Sequence, residues 1–103
     1  MNILLVCAGG ISTSFFVQNI RREYESQKID GSVIAKSITE VPELINNVDI
    51  IFIAPQAVFF KEKVEKICRQ RSIPCQVIDT VTYGQMDGKK IIELAKKSLG
   101  KGG

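Results

Sequence analysis

Short apolar runs alternate with amphipathic segments along the whole chain, and this alternation is the strongest constraint on its fold. Four segments have the length and composition of strands, and a segment with helical character follows each of them. Such alternation is typical of a parallel sheet, because each crossover carries the chain back over one face of the sheet. The predicted strands are residues 2–7, 32–37, 48–54 and 76–79, and the predicted helices are residues 12–27, 41–46, 59–71 and 88–99.

This pattern predicts an α/β fold, a four-stranded parallel open sheet flanked by helices on both faces. The 103 residues suffice for one domain with a buried core and are too few for two, so residues 1–103 are predicted to form a single domain. In open α/β sheets, ligands bind beyond the carboxyl ends of the strands, where the strand order reverses. We expect residues 7–14, 55–56 and 79–83 at this edge, with Tyr83-Gly84 in a loop.

Charge and hydropathy exclude several classes of function. The net charge is +3, and the 14 basic residues are scattered rather than grouped with aromatic residues, so no nucleic-acid partner is predicted. No apolar run approaches the length of a membrane span, which predicts no direct insertion into a membrane. The first residues read as a strand and lack the basic region of a signal peptide. We therefore expect a cytoplasmic protein, and a monomer.

The side chains that could support catalysis are few. The chain has no histidine, which excludes a Ser-His or Cys-His pair, a phosphohistidine and most zinc sites. Its three cysteines are Cys7, Cys68 and Cys75, and no two of them form a Cys-x-x-Cys pair. An odd number of unpaired cysteines favours neither a disulfide framework nor a metal site. No metal and no cofactor are predicted, and Cys68 and Cys75 are expected to be buried.

Cys7 stands at the end of the first strand, directly before a glycine-rich turn that opens a helix. Gly9 and Gly10 allow the backbone amides to approach an anion closely, and the helix N-terminus behind them favours negative charge. The same environment favours the thiolate of Cys7, which is the nucleophilic form of cysteine. We therefore predict Cys7 as the catalytic nucleophile and a phosphate-binding loop. The loop residues are Ala8, Gly9, Gly10, Ile11, Ser12, Thr13 and Ser14.

Four short stretches, spread in order over nearly the whole chain, have the spacing of a known family. With them the chain resembles the IIB components of the bacterial sugar phosphotransferase system (PTS), in the lactose/cellobiose/chitobiose branch. The most specific stretch is the one that begins at Cys7. The chain departs from the family pattern at Gly10, a loop position where other residues also occur. The stretches are Cys7-Ala8-Gly9-Gly10-Ile11-Ser12-Thr13-Ser14, Ala54-Pro55-Gln56, Val77-Ile78-Asp79, and Tyr83-Gly84 followed by Asp87-Gly88.

The resemblance implies both a fold and a reaction. The fold would be similar to that of low-molecular-weight tyrosine phosphatase. Cys7 would accept a phosphoryl group from a phosphohistidine on a IIA protein and pass it to a sugar bound by the membrane protein IIC. The usual sugar of this branch is a β-linked disaccharide such as cellobiose or chitobiose. The protein would then be a phosphotransferase that acts through a phosphocysteine.

Both partners of such a carrier must reach the same sulfur in turn. We therefore expect the surface beside Cys7 to enter both complexes. Besides the loop, the predicted interface residues are Phe15, Pro55, Gln56 and Tyr83. For Phe15, packing in the core is the competing interpretation.

Two other classes of protein share part of this pattern. Low-molecular-weight cysteine phosphatases and arsenate reductases have a strand, a cysteine loop and a helix, with the signature Cys-x5-Arg-Ser/Thr. Thr13 occupies the arginine position here, and Asp79 is followed by Thr80 rather than by the proline of an Asp-Pro general acid. A flavodoxin-like or receiver-like module is the third alternative. A receiver needs acidic residues at its strand ends, whereas the first strand ends in cysteine and Asp49 starts the third.

Overall fold

The first apolar run forms an inner strand of the sheet, flanked on both sides. The structure is a computed structural model in which residues 1–7 and 14–100 are described. Its strands lie in the order β2-β1-β3-β4, and every neighbouring pair is parallel. The strands are β1 Asn2–Cys7, β2 Ser32–Ser37, β3 Ile50–Ile53 and β4 Cys75–Val77. The predicted four-stranded parallel sheet is thus confirmed.

Helices connect the strands and cover both faces of the sheet. The α-helices are α1 Ser14–Ser26, α2 Val41–Leu44, α3 Lys61–Gln70, α4 Thr80–Gly84 and α5 Gly88–Ser98. Short 3₁₀ segments extend α2 at both ends and precede α3, and they are Ile38–Glu40, Ile45–Asn47 and Pro55–Phe60. In the described residues, no helix is both long and apolar enough to cross a bilayer.

Alternate side chains of β1 enter two separate cores. Ile3 and Leu5 pack with α1 and α5 on one face, where the other large contributors are Phe16, Ile20, Phe52 and Ile91. Leu4 and Val6 pack with α2 and α3 on the opposite face, with Val41, Ile51, Ile53 and Val64. Because both faces of β1 are buried, the strand reads as one continuous apolar run instead of an alternating one.

Helices α1 and α5 approach each other closely on the first of these faces. Gly88, the first residue of α5, lies against the backbone of α1, where a Cβ at position 88 would come within 2.7 Å of the carbonyl carbon and oxygen of Asn19. The Asn19 side chain donates a hydrogen bond to the carbonyl oxygen of Met86 at 2.9 Å. This contact fixes α1, the helix that follows the Cys7 loop.

Several element boundaries differ from those predicted. Tyr83 and Gly84 belong to helix α4, so the predicted loop is wrong there; Asp79 caps this helix and allows it to begin immediately after the strand. The fourth strand is shorter than predicted because Asp79 already serves as the cap. Helix α3 starts at Lys61, since Pro55 initiates a 3₁₀ segment before it. The predicted start of α1, at Ser12, lies outside the described residues.

Candidate functional site

Cys7 lies at the carboxyl end of β1, where the order of the sheet reverses. The chain passes from β1 to β2 on one side and then crosses to β3 on the other, so the crevice that follows β1 and β3 is the switch point of the sheet. Cys7 is half-buried, and it stands opposite Ser37 in the register of β1 and β2. Its Sγ donates a hydrogen bond to the carbonyl oxygen of Lys36 at 3.6 Å.

A polar cluster that sequence analysis missed adjoins Cys7 at the end of β2. The Ser37 hydroxyl lies 2.8 Å from that of Thr39, and the Glu40 carboxylate accepts a hydrogen bond from the Ser37 backbone amide at 3.3 Å. Glu40 therefore caps the 3₁₀ segment that begins the second crossover. The signal was present, because Ser followed three residues later by Glu is the pattern of a capping box.

The end of β3 places Pro55 and Gln56 next to β1. The Ala54 amide donates a hydrogen bond to the Val6 carbonyl at 2.9 Å, which extends the pairing of the two strands to the edge of the sheet. The 3₁₀ segment Pro55–Phe60 then contacts β1. Pro55 is half-buried and Gln56 is exposed.

Just after β4, the carboxylate of Asp79 is held by hydrogen bonds from Thr82. The Asp79 side chain accepts hydrogen bonds from the Thr82 backbone amide at 2.7 Å and from the Thr82 hydroxyl at 2.9 Å. These hydrogen bonds lower the pKa of the Asp79 carboxyl, with the backbone amide as the larger cause. Asp79 is therefore held as an ionised acceptor, which is the opposite of what a general acid requires.

Phe15, one of the predicted interface residues, is a surface residue. Its side chain is 60% exposed, which removes the alternative of core packing. Tyr83 is half-buried, and its ring packs edge-on against Phe16 with 5.6 Å between the centroids. The role of Tyr83 in the structure is thus mainly to close the core beneath the carboxyl edge.

Three further exposed apolar residues accompany Phe15 at this end of the sheet, and sequence analysis missed all three. Val58 and Phe59 follow β3 and Val81 follows β4, with 49%, 71% and 64% of their side chains exposed. Phe59 is supported by Phe60, whose ring centroid lies 4.3 Å away. We call Phe15, Val58, Phe59 and Val81 the apolar rim. Apolar side chains that are this exposed at one edge are typical of an interaction surface.

The loop residues of the predicted site, Ala8–Thr13, lie outside the described residues. Ser14, the last of the predicted phosphate-binding residues, is exposed at the beginning of α1. Cys7 and the first turn of α1 therefore bound the loop on both sides. No group of three or more possible metal-ligating side chains occurs among residues 1–7 and 14–100.

Cys7 ends an inner strand of a four-stranded parallel sheet, and helix α1 begins seven residues later, at Ser14. This arrangement is that of the low-molecular-weight phosphatase-like fold. Comparison with known proteins then identifies the family. The family model described as "PTS system, Lactose/Cellobiose specific IIB subunit" matches residues 2–94. The chain belongs to this family of sugar phosphotransferase system components, and the protein is a phosphotransferase.

Individual relatives agree with this assignment over nearly their full lengths. The chain is 34% identical over 93 residues, 90% of each chain, to the oligo-beta-mannoside-specific EIIB component of Bacillus subtilis. It is 29% identical over 102 residues, 94% of each chain, to the cellobiose-specific EIIB component of Lactococcus lactis subsp. lactis. A galactose-specific EIIB component from Lactococcus lactis subsp. cremoris matches with the same identity and the same coverage.

Solved structures confirm the fold. The cellobiose-specific IIB component of Borrelia burgdorferi is 38% identical, with a TM-score of 0.82 over 97% of this chain and 92% of the other. The lactose-specific IIB domain of Streptococcus pneumoniae superposes equally well, with a TM-score of 0.83 over 94% and 95% of the two chains, at only 13% identity. The arrangement of strands and helices is therefore retained where most of the sequence has changed.

Proposed function

We propose that Cys7 carries the phosphoryl group in this phosphotransferase. Its Sγ attacks the phosphorus of a phosphohistidine on a IIA protein, so that an N–P bond breaks and an S–P bond forms. The S–P bond later breaks as a hydroxyl oxygen of the sugar attacks, and the hydroxyl proton is released. The observation that carries this proposal is the location of Cys7 at the switch point of the sheet, in a chain of the IIB family.

The loop Ala8–Ser14 is proposed to bind the phosphoryl group. Helix α1 begins at Ser14, the last residue of this segment, and backbone amides at a helix N-terminus favour an anion. Charge-assisted hydrogen bonds of this kind contribute about 1.5–3 kcal/mol each. The hydroxyl groups of Ser12, Thr13 and Ser14 are further donors.

A carrier must keep its phosphocysteine until the acceptor arrives, and two features favour such persistence over hydrolysis. Thr13 replaces the arginine of the phosphatase signature, so the guanidinium that would grip the transferring group is missing. Asp79 is bound to Thr82 and has a lowered pKa, so it is a poor proton donor. A low-molecular-weight phosphatase or arsenate reductase activity is therefore disfavoured.

The apolar rim is proposed to dock both partners of the carrier. Its four residues follow strands β1, β3 and β4 at the edge that carries Cys7. Exposed apolar side chains suit the centre of such a transient interface. Pro55 and Gln56 begin the 3₁₀ segment that also carries Val58 and Phe59, and we propose that they contact the IIA protein and membrane IIC in turn.

The proposed acceptor is a β-linked disaccharide such as cellobiose or chitobiose, held by IIC at the inner face of the membrane. The names of the relatives support a β-linked sugar in two cases, oligo-beta-mannoside and cellobiose, and name galactose in a third. We propose that the protein acts in the cytoplasm as a monomer. Membrane vesicles that contain the cognate IIC, offered each sugar in turn, identify the acceptor.

The decisive experiment is reconstitution with phosphoenolpyruvate, the general donor proteins of the system and a IIA protein. Intact mass spectrometry should show the gain of one phosphoryl group in the wild type and in Cys75→Ser, and no gain in Cys7→Ser. Cys7→Ser changes one atom at the strand end, so its circular dichroism spectrum should match that of the wild type. Phosphorylation that survives in folded Cys7→Ser would refute the role of Cys7.

A further inference from the structure

Cys68 and Cys75 are held next to each other by two adjoining elements on the second face of the sheet. Cys68 lies in the last turn of α3 and is 2% exposed, whereas Cys75 begins β4. The chain between them is fixed at both ends, since the Ile73 amide donates to the Cys68 carbonyl at 3.0 Å and the Pro74 carbonyl accepts from the Ile51 amide at 3.0 Å. Both cysteines belong to the core that α2 and α3 cover.

The two thiols lie close enough to shift each other's pKa. The Cys75 thiol, acting as a hydrogen-bond donor, lowers the pKa of the Cys68 thiol. The same hydrogen bond, followed by burial, raises the pKa of the Cys75 thiol. Neither cysteine is in a disulfide. A thiol pair in which one partner stabilises the thiolate of the other is an arrangement suited to thiol–disulfide exchange.

A small surface cavity gives reagents access to this pair. Its volume is about 160 Å³, and both cysteines line it together with Glu65, Arg69 and Ile73. Cys75 is half-buried rather than buried as predicted, whereas Cys68 is buried. Glu65 raises the pKa of both thiols, while Lys61 lowers that of Cys75.

Cys7 is too distant to take part. In the sheet register, Cys75 of β4 pairs with Ile51 of β3, and Ile51 pairs with Leu4 of β1. Cys75 is therefore two strands away from Cys7 and offset from it by three residues along the strand. These offsets correspond to a separation of roughly 14 Å between Cα atoms, at about 3.3 Å per residue and 4.8 Å per strand. A disulfide requires Cα atoms within about 7 Å.

We propose that Cys68 and Cys75 form a redox-active dithiol, which low-molecular-weight disulfides such as oxidised glutathione close to an intramolecular disulfide. The Cys68 thiolate first attacks one sulfur of the reagent, whose S–S bond breaks and releases one equivalent of the small thiol. Cys75 then loses its proton, attacks the Cys68 sulfur and releases the second equivalent. Overall two protein thiols are oxidised by two electrons, and one small disulfide is reduced to two thiols. The bond ties α3 to β4, apart from the edge that carries Cys7.

The experiment is oxidation of the folded protein by glutathione disulfide, followed by intact mass and tryptic mapping. Cys7→Ser should lose two hydrogens, and trypsin should release peptide 67–69 linked to peptide 72–89. The wild type should give the same linked peptides, with a glutathionyl group in addition wherever Cys7 has reacted. Cys75→Ser should instead retain one glutathionyl group on Cys68. If Cys75→Ser does not fold, Cys68→Ser provides the matched test, because ring closure must be absent from it as well.

A comparison of folded and unfolded protein separates the role of the fold from mere closeness in sequence. In glutathione redox buffers, the folded dithiol should have an effective concentration at least about tenfold above that of the same pair in concentrated urea. Equal values in the two states would overturn the proposal, because the fold would then contribute nothing. Stable mixed disulfides without ring closure in the wild type, or a disulfide to Cys7, would overturn it equally.

Discussion

Replacement of Gly88 by alanine tests the close contact of α1 with α5. The new Cβ would lie 2.7 Å from the carbonyl carbon and oxygen of Asn19 and 2.8 Å from the Ile20 amide nitrogen. Unstrained contacts of this kind are about 3.5–4.0 Å, so the two helices must separate by roughly 1 Å. All three opposing atoms are backbone atoms, so no side-chain rotation can relieve the clash. The hydrogen bond from Asn19 to the Met86 carbonyl spans the same contact and would be strained with it.

Two opposing terms decide the size of the effect. Overpacking of a well-filled site costs about 1–3 kcal/mol. Alanine is favoured over glycine in a helix interior by about 1 kcal/mol, and by less at the first helical position, which Gly88 occupies. The net loss should therefore be about 1–2 kcal/mol of unfolding free energy. For a domain of this size, this corresponds to a fall in melting temperature of roughly 4–16 °C.

Gly84→Ala is the matched control for this substitution. Gly84 is also helical, in α4, but a Cβ there would meet nothing within 4 Å. Urea unfolding followed by circular dichroism should show Gly88→Ala clearly below the wild type, with an unchanged m-value, and Gly84→Ala at or above it. If Gly88→Ala proves as stable as Gly84→Ala, the contact between the helices is not as close as described.

Three further substitutions test other contacts. Asp79→Ala should destabilise the protein at neutral pH and flatten the acid side of its stability profile. Because the pKa of Asp79 is lower in the folded protein than in the unfolded chain, where it is near 4, ionised Asp79 stabilises the fold at higher pH. This stabilisation is lost as the pH falls through the pKa of the folded state, and urea midpoints at several pH values measure the loss. Tyr24→Phe removes hydroxyl hydrogen bonds to the Met1 and Ser32 carbonyls. Because burial raises the pKa of Tyr24 from 10.0 to about 12, the stability difference from the wild type should persist below pH 10 and shrink as pH rises to about 12. Phe59→Ser should slow phosphoryl transfer from a IIA protein several-fold at an unchanged melting temperature. Arg71→Ser, at the opposite edge of the sheet, should leave the rate unchanged. Equal rates for the two variants would exclude Phe59 from docking.

The fold could be predicted from the sequence because its strongest signals are local. Each buried strand is an apolar run bounded by turn residues, and the alternation with helices leaves few parallel topologies open. The division of β1 between two cores could not be predicted in the same way. Ile3 and Leu4 are equally apolar, and only the placement of the surrounding helices decides which face each residue enters.

The errors in the prediction arose where one residue has two possible roles. Gly84 was interpreted as a loop residue, but the capping carboxylate of Asp79 outweighs the weak helix propensity of glycine over a helix this short. Cys75 was expected to be buried because it precedes an apolar strand, yet β4 pairs with β3 alone and stands at the edge of the sheet. The exposure of Val58, Phe59 and Val81 follows from tertiary packing, which a pattern of apolar residues does not reveal.

The hydrogen bond from Cys7 to Lys36 has a consequence for the proposed carrier cycle. In this contact the thiol is the donor and the Lys36 carbonyl is the acceptor, at 3.6 Å. A thiolate or a phosphorylated sulfur has no proton to donate, and its negative charge is repelled by the carbonyl oxygen. Deprotonation or phosphorylation should therefore break the contact with the Lys36 carbonyl, and the charged sulfur should favour hydrogen-bond donors instead. The resting thiol and the charged sulfur thus prefer different neighbours.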